Sequence, residues 1–240
     1  MSTALRDLGV WVSRMRECRN PFLLASGLNY DRLRSQILKL ATGQPFSVTA
    51  NYMREIEDDK PFLQEIRARL AKWTMYTPRA VDFMMSGRSG SVFFNEVTLY
   101  AIVRALRPEV VIETGGTPGK STAFILQALE RNKAGHLYTL DLPPAVIDQP
   151  ILQHRGIYHE LRPAGAESGW IVPDELRGRQ TALLGSSKDH LSPLLEKLDR
   201  VDMFYHDSDH SYDYMTWEFE TVWPKLKSSD GLLMSDDVLS

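Results

Sequence analysis

The feature that most constrains the fold is the segment 110–122. Val110, Val111 and Ile112 are β-branched and apolar, as a central parallel strand requires, and from Ser121 to Leu129 the residues Phe124, Ile125 and Leu129 take helical spacing. Between them Gly115, Gly116 and Gly119 let the backbone turn sharply and approach a ligand closely. A strand that turns through glycines straight into a helix is the first corner of a parallel α/β sheet, the place where such sheets bind nucleotides.

Two ligand chemistries compete for this corner. Gly119, Lys120 and Ser121 match the second half of a phosphate-binding P-loop, but the pattern asks for a glycine where Thr114 stands, and counting from Gly115 leaves the loop one residue short. Glu113 is the residue a phosphate loop does not explain. A carboxylate at the strand end repels a triphosphate and attracts a cation. On the cationic reading Lys120 is an ordinary helix residue facing solvent.

The rest of the chain narrows the class. Its 240 residues are 43% hydrophobic and 25% charged, enough for one catalytic domain with an appendage. No apolar run reaches the roughly 20 residues of a membrane span, and residues 1–7 lack a secretory signal's apolar centre, so a cytoplasmic protein without membrane contact is expected. The single cysteine, Cys18, forms neither an internal disulfide nor a thiolate zinc site. A net charge of -3 argues against nucleic-acid binding. Residues 199–240 carry ten acids against three bases, and acids converging at strand ends suggest a cation site; Asp199, Asp202, Glu218, Glu220 and Asp230 read as solvated surface.

Residues 1–85 read as helical, from apolar spacing in Leu5, Leu8, Val12 and Met15, in Leu33, Ile37, Leu38 and Leu40, and in Phe62, Ile66 and Leu70. This appendage is expected to cover a pocket or to form a homo-oligomer interface. Residues 86–240 alternate strand and helix, predicting strands near 110–113, 136–141, 181–184, 201–206 and 231–235, and helices near 93–106, 120–132, 188–198 and 211–226. Segment 143–180, rich in proline and glycine, reads as loop with one short helix.

Further candidates lie at the later strand ends. Asp141 closes the second strand, where an acid hydrogen-bonds ribose hydroxyls or caps a turn. Gly185, Ser186 and Ser187 open a helix and either line an adenine edge or cap that helix. The run His206 to Tyr212 and the pair Asp236–Asp237 follow the fourth and fifth strands.

The glycine-rich segment resembles motif I of class I S-adenosylmethionine-dependent methyltransferases. Together with Gly169–Arg177, Leu184–Ser187, His206–Tyr212, Trp217–Pro224 and Ser235–Asp237 it resembles the Methyltransferase-24 type over residues 90–240, related to macrolide and sugar O-methyltransferases and to cephalosporin hydroxylase-like proteins. The resemblance implies a Rossmann-like α/β sheet and S-adenosylmethionine held by Glu113, Gly115, Gly116, Gly119, Ser121, Asp141, Gly185, Ser186 and Ser187. It implies Mg²⁺ on Asp207, Asp236 and Asp237, which would sit on neighbouring strand ends and lower the pKa of a substrate hydroxyl. His210 or His206 is then the proton acceptor, beside Asp207, for methyl transfer to a small-molecule hydroxyl. This fold normally continues past the fifth strand, so the carboxyl-terminal strands are expected to be missing and the domain truncated. Two other readings stand beside this one: a P-loop nucleotidase using Lys120 and Ser121 with Asp207 or Asp236 on Mg²⁺, and a scaffold protein with a silent cofactor pocket.

Overall fold

Alternation along Val110–Thr114, strand β1, sets the architecture, because both faces of this strand are buried. Val111 joins one core and Ile112 the other, so helices must cover the sheet on both sides. The structure is a computed structural model and describes residues 34–72, 96–143, 166–227 and 230–236. The expected boundary near residue 85, the helix of Leu5 to Met15, most of segment 143–180 and the metal candidate Asp237 lie outside the described residues.

A helical stretch covers 34–42. Then come α1 (Phe46–Glu57), α2 (Lys60–Ala71), α3 (Glu96–Leu106), β1, α4 (Lys120–Asn132), β2 (His136–Asp141), a 3₁₀ turn (Asp174–Arg179), β3 (Gln180–Leu184), α5 (Ser187–Lys197), β4 (Met203–His206), α6 (Tyr212–Val222), a 3₁₀ turn (Trp223–Lys225) and β5 (Leu232–Ser235). The predicted strands match within two residues. The last helix ends earlier than expected because Pro224 cannot donate into an α-helical ladder, and the chain closes through a 3₁₀ turn instead.

The five strands are parallel in the order β3-β2-β1-β4-β5. The chain winds outward from β1 through β2 to β3, then returns to lay β4 on the other side of β1 and β5 beyond it. The winding direction therefore reverses between β1 and β4, and the carboxyl ends at such a switch point are where sheets of this kind place a ligand crevice.

On one face, α1 to α4 bury Ile56, Ile66, Leu70, Tyr100, Ile125 and Leu129 against Val111, Leu137, Met203 and Tyr205. Each such side chain, sealed from water, contributes about 1.5–3 kcal/mol before its ordering cost. The periodicity of Phe62, Ile66 and Leu70 correctly marked the buried face of α2. Leu40 does not follow its expected stripe; it is 85% exposed, whereas Leu38 is sealed. On the other face, α5 and α6 bury Leu191, Leu195 and Val222 against Ile112, Leu140 and Phe204. Among the described residues no helix is long and apolar enough to cross a membrane.

Two acids read as solvated are structural. Asp202 is buried, and its Oδ2 accepts the backbone N–H groups of Glu109 and Val110, each at 2.9 Å, fixing the entry to β1. Glu218 is sealed completely. Charged groups are buried only with partners, and the partners of Glu218 lie at the switch point.

Candidate active site

The glycine turn after β1 is built by close chain approach. Gly115 has φ +80° and donates its N–H to the Leu140 carbonyl at 2.8 Å; a Cβ there would stand 1.9 Å from the Asp207 carbonyl oxygen. Gly119 caps α4 with φ +104°, and a Cβ there would stand 2.7 Å from Gly169 Cα. Both positions demand glycine for conformation and for space. The turn is thus clamped between the end of β4 and the segment 168–172.

Side chains of β1 then divide between the sheet's faces. Glu113 points toward α4, fully buried, with Oε1 accepting from Ser121 Oγ at 2.5 Å and Oε2 from Thr122 Oγ1 at 2.6 Å. Burial without a cation pushes its carboxyl up to about 7; the two hydroxyl hydrogen bonds oppose this incompletely, and the negative charge of Asp141 adds to it. Ser121, which a P-loop would turn to a metal or phosphate, is committed to Glu113.

Lys120 is not the solvent-facing residue expected. It is buried and its Nζ lies 2.9 Å from Glu96 Oε1. A cation in the first turn of a helix opposes the helix dipole, and the Glu96 carboxylate offsets that repulsion. The P-loop reading therefore loses both of its side chains to internal partners.

Asp141 ties the turn to the end of β2. Its Oδ2 accepts from Gly116 N at 3.1 Å, from Thr117 Oγ1 at 2.5 Å and from Ser168 Oγ, while Oδ1 accepts from Leu142 N at 2.8 Å. Oδ2 is saturated, and Oδ1 retains acceptor capacity for a hydroxyl. Ser168 continues into a strap fastened by Arg177, which donates to the Gly169 and Val172 carbonyls, and by Arg69, which also donates to Val172. Gly185 donates to the Asp141 carbonyl at 2.9 Å. Ser186 caps α5, accepting from Asp189 N at 3.3 Å, while the hydroxyl of Ser187 turns inward.

That inward hydroxyl reaches Glu218, which organises the opposite face. Glu218 accepts from Thr114 Oγ1 at 2.8 Å, His206 Nδ1 at 2.6 Å, Ser208 Oγ at 3.0 Å and Ser187 Oγ; Ser187 also meets Tyr214 Oη at 2.8 Å. One carboxylate thus joins the ends of β1 and β4 to the starts of α5 and α6. His206 is sealed, with Nε2 lacking a partner among the described residues, and its ring stands edge-on to His210, centroids 5.3 Å apart. His210 is partly exposed, and its Nε2 lies 3.7 Å from Asp207 Oδ1. The two candidate bases are therefore unequal: the His210 ring is partly exposed, and the His206 ring that packs against it is sealed.

The strand order brings Asp207 and Asp236 to neighbouring ends, since His206 pairs with Ser235 and each aspartate follows its strand by one residue. Both charges bear on the buried phenol of Tyr205, which burial first and these carboxylates second hold well above its ordinary pKa. Among the described residues no three His, Cys, Asp or Glu side chains are placed to hold one ion. Of the three expected carboxylates, Asp207 and Asp236 follow adjacent strands.

Sequence reading missed Glu218, Thr114, Thr117, Ser168, Tyr205 and the Lys120–Glu96 pair. A signal for Glu218 existed: Tyr214, Glu218 and Val222 fall on one helical face. No local pattern marks Ser168, whose role comes from a contact 27 residues away in sequence.

A family model described as a methyltransferase domain, Methyltransf_24, matches residues 112–238. No protein of curated function matches the chain by sequence. Among solved structures, the S-adenosylhomocysteine-bound methyltransferase PaMTH1 of Podospora anserina is similar with 16% identity and a TM-score of 0.45, over 73% of this chain and 61% of that one. An O-methyltransferase from Bacillus cereus in complex with S-adenosylhomocysteine gives 16% identity and a TM-score of 0.40, over 77% and 70%. The O-methyltransferase TomG of Streptomyces achromogenes, involved in tomaymycin synthesis, gives 16% and 0.35, over 68% and 61%. The chain thus spans about three fifths of the Podospora protein's length. With the family match covering more than half of its residues, the chain belongs to the Methyltransf_24 family of class I S-adenosylmethionine-dependent methyltransferase domains.

Proposed function

We propose that this chain transfers a methyl group from S-adenosylmethionine to a hydroxyl of a small molecule. The observation that carries the reading is the acid-backed glycine turn at the switch point: Glu113 is buried behind Gly116 with hydroxyl donors only, and Asp141 stands at the next strand end. That pair suits a ligand bearing positive charge and ribose hydroxyls, and it does not suit a triphosphate. The bound cofactor supplies an electrophilic methyl group on a sulfonium sulfur.

The chain's own residues hold and align the reactants. Thr114 to Gly119 form the floor, Asp141 Oδ1 takes a ribose hydroxyl, and the backbone around Gly185 and Ser186 borders the adenine. His210 accepts the acceptor's proton, a role supported by its partial exposure and by its place 3.7 Å from Asp207 Oδ1. His206, sealed behind it and held by Glu218, sets the packing of the His210 ring. Mg²⁺ is part of the proposal through the hard oxygens of Asp207 and Asp236, with Asp237 as a third donor; bound there it would acidify an acceptor hydroxyl. The amino-terminal helical appendage serves as a cover for the pocket or as an oligomer interface; of its described helices, α2 is tied to the strap by the Arg69 bond to the Val172 carbonyl.

Calorimetric titration with S-adenosylmethionine and S-adenosylhomocysteine tests the reading. Saturable binding of both is expected, weakened at least tenfold by Asp141→Asn. Failure of both to bind the intact protein sinks it. Incubation with a panel of sugars and phenols, followed by mass spectrometry for a methyl increment, then identifies the acceptor, and loss of the product with His210→Ala assigns the base.

A further inference from the structure

Glu113 is a buried acid without a counter-charge. Its oxygens meet two neutral hydroxyls, and no cation lies within ion-pairing distance of it among the described residues. The charge that acts on it directly is acidic as well. Asp141 adds negative charge from β2. On β4 its register partner is Tyr205, whose phenol feels Asp207, Asp236 and Glu96 together with Glu113 itself. Lys120, on α4, is held by Glu96. A carboxylate in such surroundings is stable in two ways only, with a proton or with a cation brought from outside.

The loop that would meet the ligand is directly in front of it. A Cβ at Gly116 would stand 3.8 Å from Glu113 Oε2, so the carboxylate lies directly behind the backbone of the turn. Glycine keeps that separation small, and charge on a ligand acts across it.

We infer that Glu113 is a specificity-determining charge sensor: it carries a proton in the free protein, loses it when the cationic methyl donor binds, and so distinguishes the donor from the neutral demethylated product. The inference rests on the methyltransferase reading. Its balance is simple. In methyl transfer the carbon–sulfur bond breaks, its electron pair stays on sulfur as a neutral thioether, a carbon–oxygen bond forms, and the hydroxyl proton leaves to the base. The site has then lost the charge that kept Glu113 ionised, Glu113 takes a proton from the medium, and the product is held less tightly than the donor.

Linkage gives the sign. A group that ionises on binding makes affinity rise with pH up to its pKa in the free protein and level off above it. For Glu113 that plateau begins at about 7.

The test is isothermal titration of the full chain with S-adenosylmethionine and with S-adenosylhomocysteine, in pairs of buffers of different ionisation enthalpy, from pH 5.5 to 8. The donor is expected to release about half a proton near pH 7 and to bind roughly five- to tenfold more tightly at pH 7.5 than at pH 5.5. The product is expected to release less and to show a flatter profile. Glu113→Gln, nearly isosteric, is expected to abolish both the proton release and the donor's pH dependence. If that variant does not fold, the proton count of the unaltered protein decides alone. Equal proton release by donor and product, or none by either, overturns the inference while leaving the methyltransferase reading intact. Failure of both compounds to bind overturns that reading and this inference with it.

Discussion

Glu55 and Glu113 are both glutamates packed under the same helical layer, and the protein treats them oppositely. Glu55, on α1, accepts from Arg104 Nε at 2.8 Å and Nη2 at 3.1 Å and from the Tyr100 hydroxyl, and Arg104 also reaches Asn132. Burial raises its carboxyl, but the Arg104 and Tyr100 hydrogen bonds and the arginine charge outweigh that and hold it below its ordinary value. Glu113 receives hydroxyls only, and its carboxyl is pushed up to about 7. Where an acid serves to pin α1 to α3, the fold supplies a cation; around Glu113 the described residues supply hydroxyls alone. A buried acid left without a cation is the kind of perturbed group that clusters at functional sites.

The sharpest way to break this contrast is at Glu218, the third acid of the series. Removing it strands the donors of Thr114, His206, Ser208 and Ser187 at once in a sealed space. Glu218→Ala is expected to cost about 3–5 kcal/mol by urea denaturation, against about 1–3 for the nearly isosteric Glu218→Gln. Equal and small losses for both would mean that the carboxylate organises nothing.

Next in size is the pH dependence carried by Glu113. Its carboxyl ionises near 4.5 in the unfolded chain and near 7 in the free folded protein. The folded state therefore binds the extra proton, and stability from this group is fully present below pH 4.5 and is lost as pH rises to about 7. At about 1.36 kcal/mol per unit the loss is about 3 kcal/mol. Denaturation midpoints measured from pH 4.5 to 8 are expected to show it, and Glu113→Gln to flatten it. Glu55 should behave in the opposite sense: its contribution is present above its unfolded pKa and fades as pH falls through the lowered folded value. Being about a third exposed and screened by solvent, it contributes no more than about 1 kcal/mol.

These acids also mark what could be read without coordinates. Strand and helix positions followed from period and turn chemistry, because β1 opens on an apolar β-branched run, β2 ends in an acid and α4 begins at a glycine. The placement of Glu113, Asp141, Asp207 and Asp236 at strand ends followed from the same pattern. Partnership did not. Lys120 looks like any exposed helix lysine until Glu96, 24 positions earlier, is seen beside it, and Glu218 lies in a segment dense with acids. Long-range pairing decides whether an acid is surface, strut or site, and composition carries no trace of that pairing.

The smallest expected effect separates two neighbouring serines that read alike in the sequence. Ser186 accepts from Asp189 N and terminates α5 from outside, at a partly exposed position. Ser187 is buried, shared between Glu218 and Tyr214. Ser186→Ala removes a helix cap and is expected to cost about 1 kcal/mol with no change in the Glu218 network. Ser187→Ala leaves a buried carboxylate short of one donor and is expected to cost about 1–3 kcal/mol. Thermal denaturation of the two variants, read together with S-adenosylhomocysteine affinity, checks this: Ser187→Ala should lower both stability and affinity, because the network it belongs to also holds Thr114 at the foot of the glycine turn. If Ser186→Ala proves the more damaging of the two, the hydroxyl network does not reach the turn, and the site is held by the backbone contacts of Gly115 and Gly119 alone.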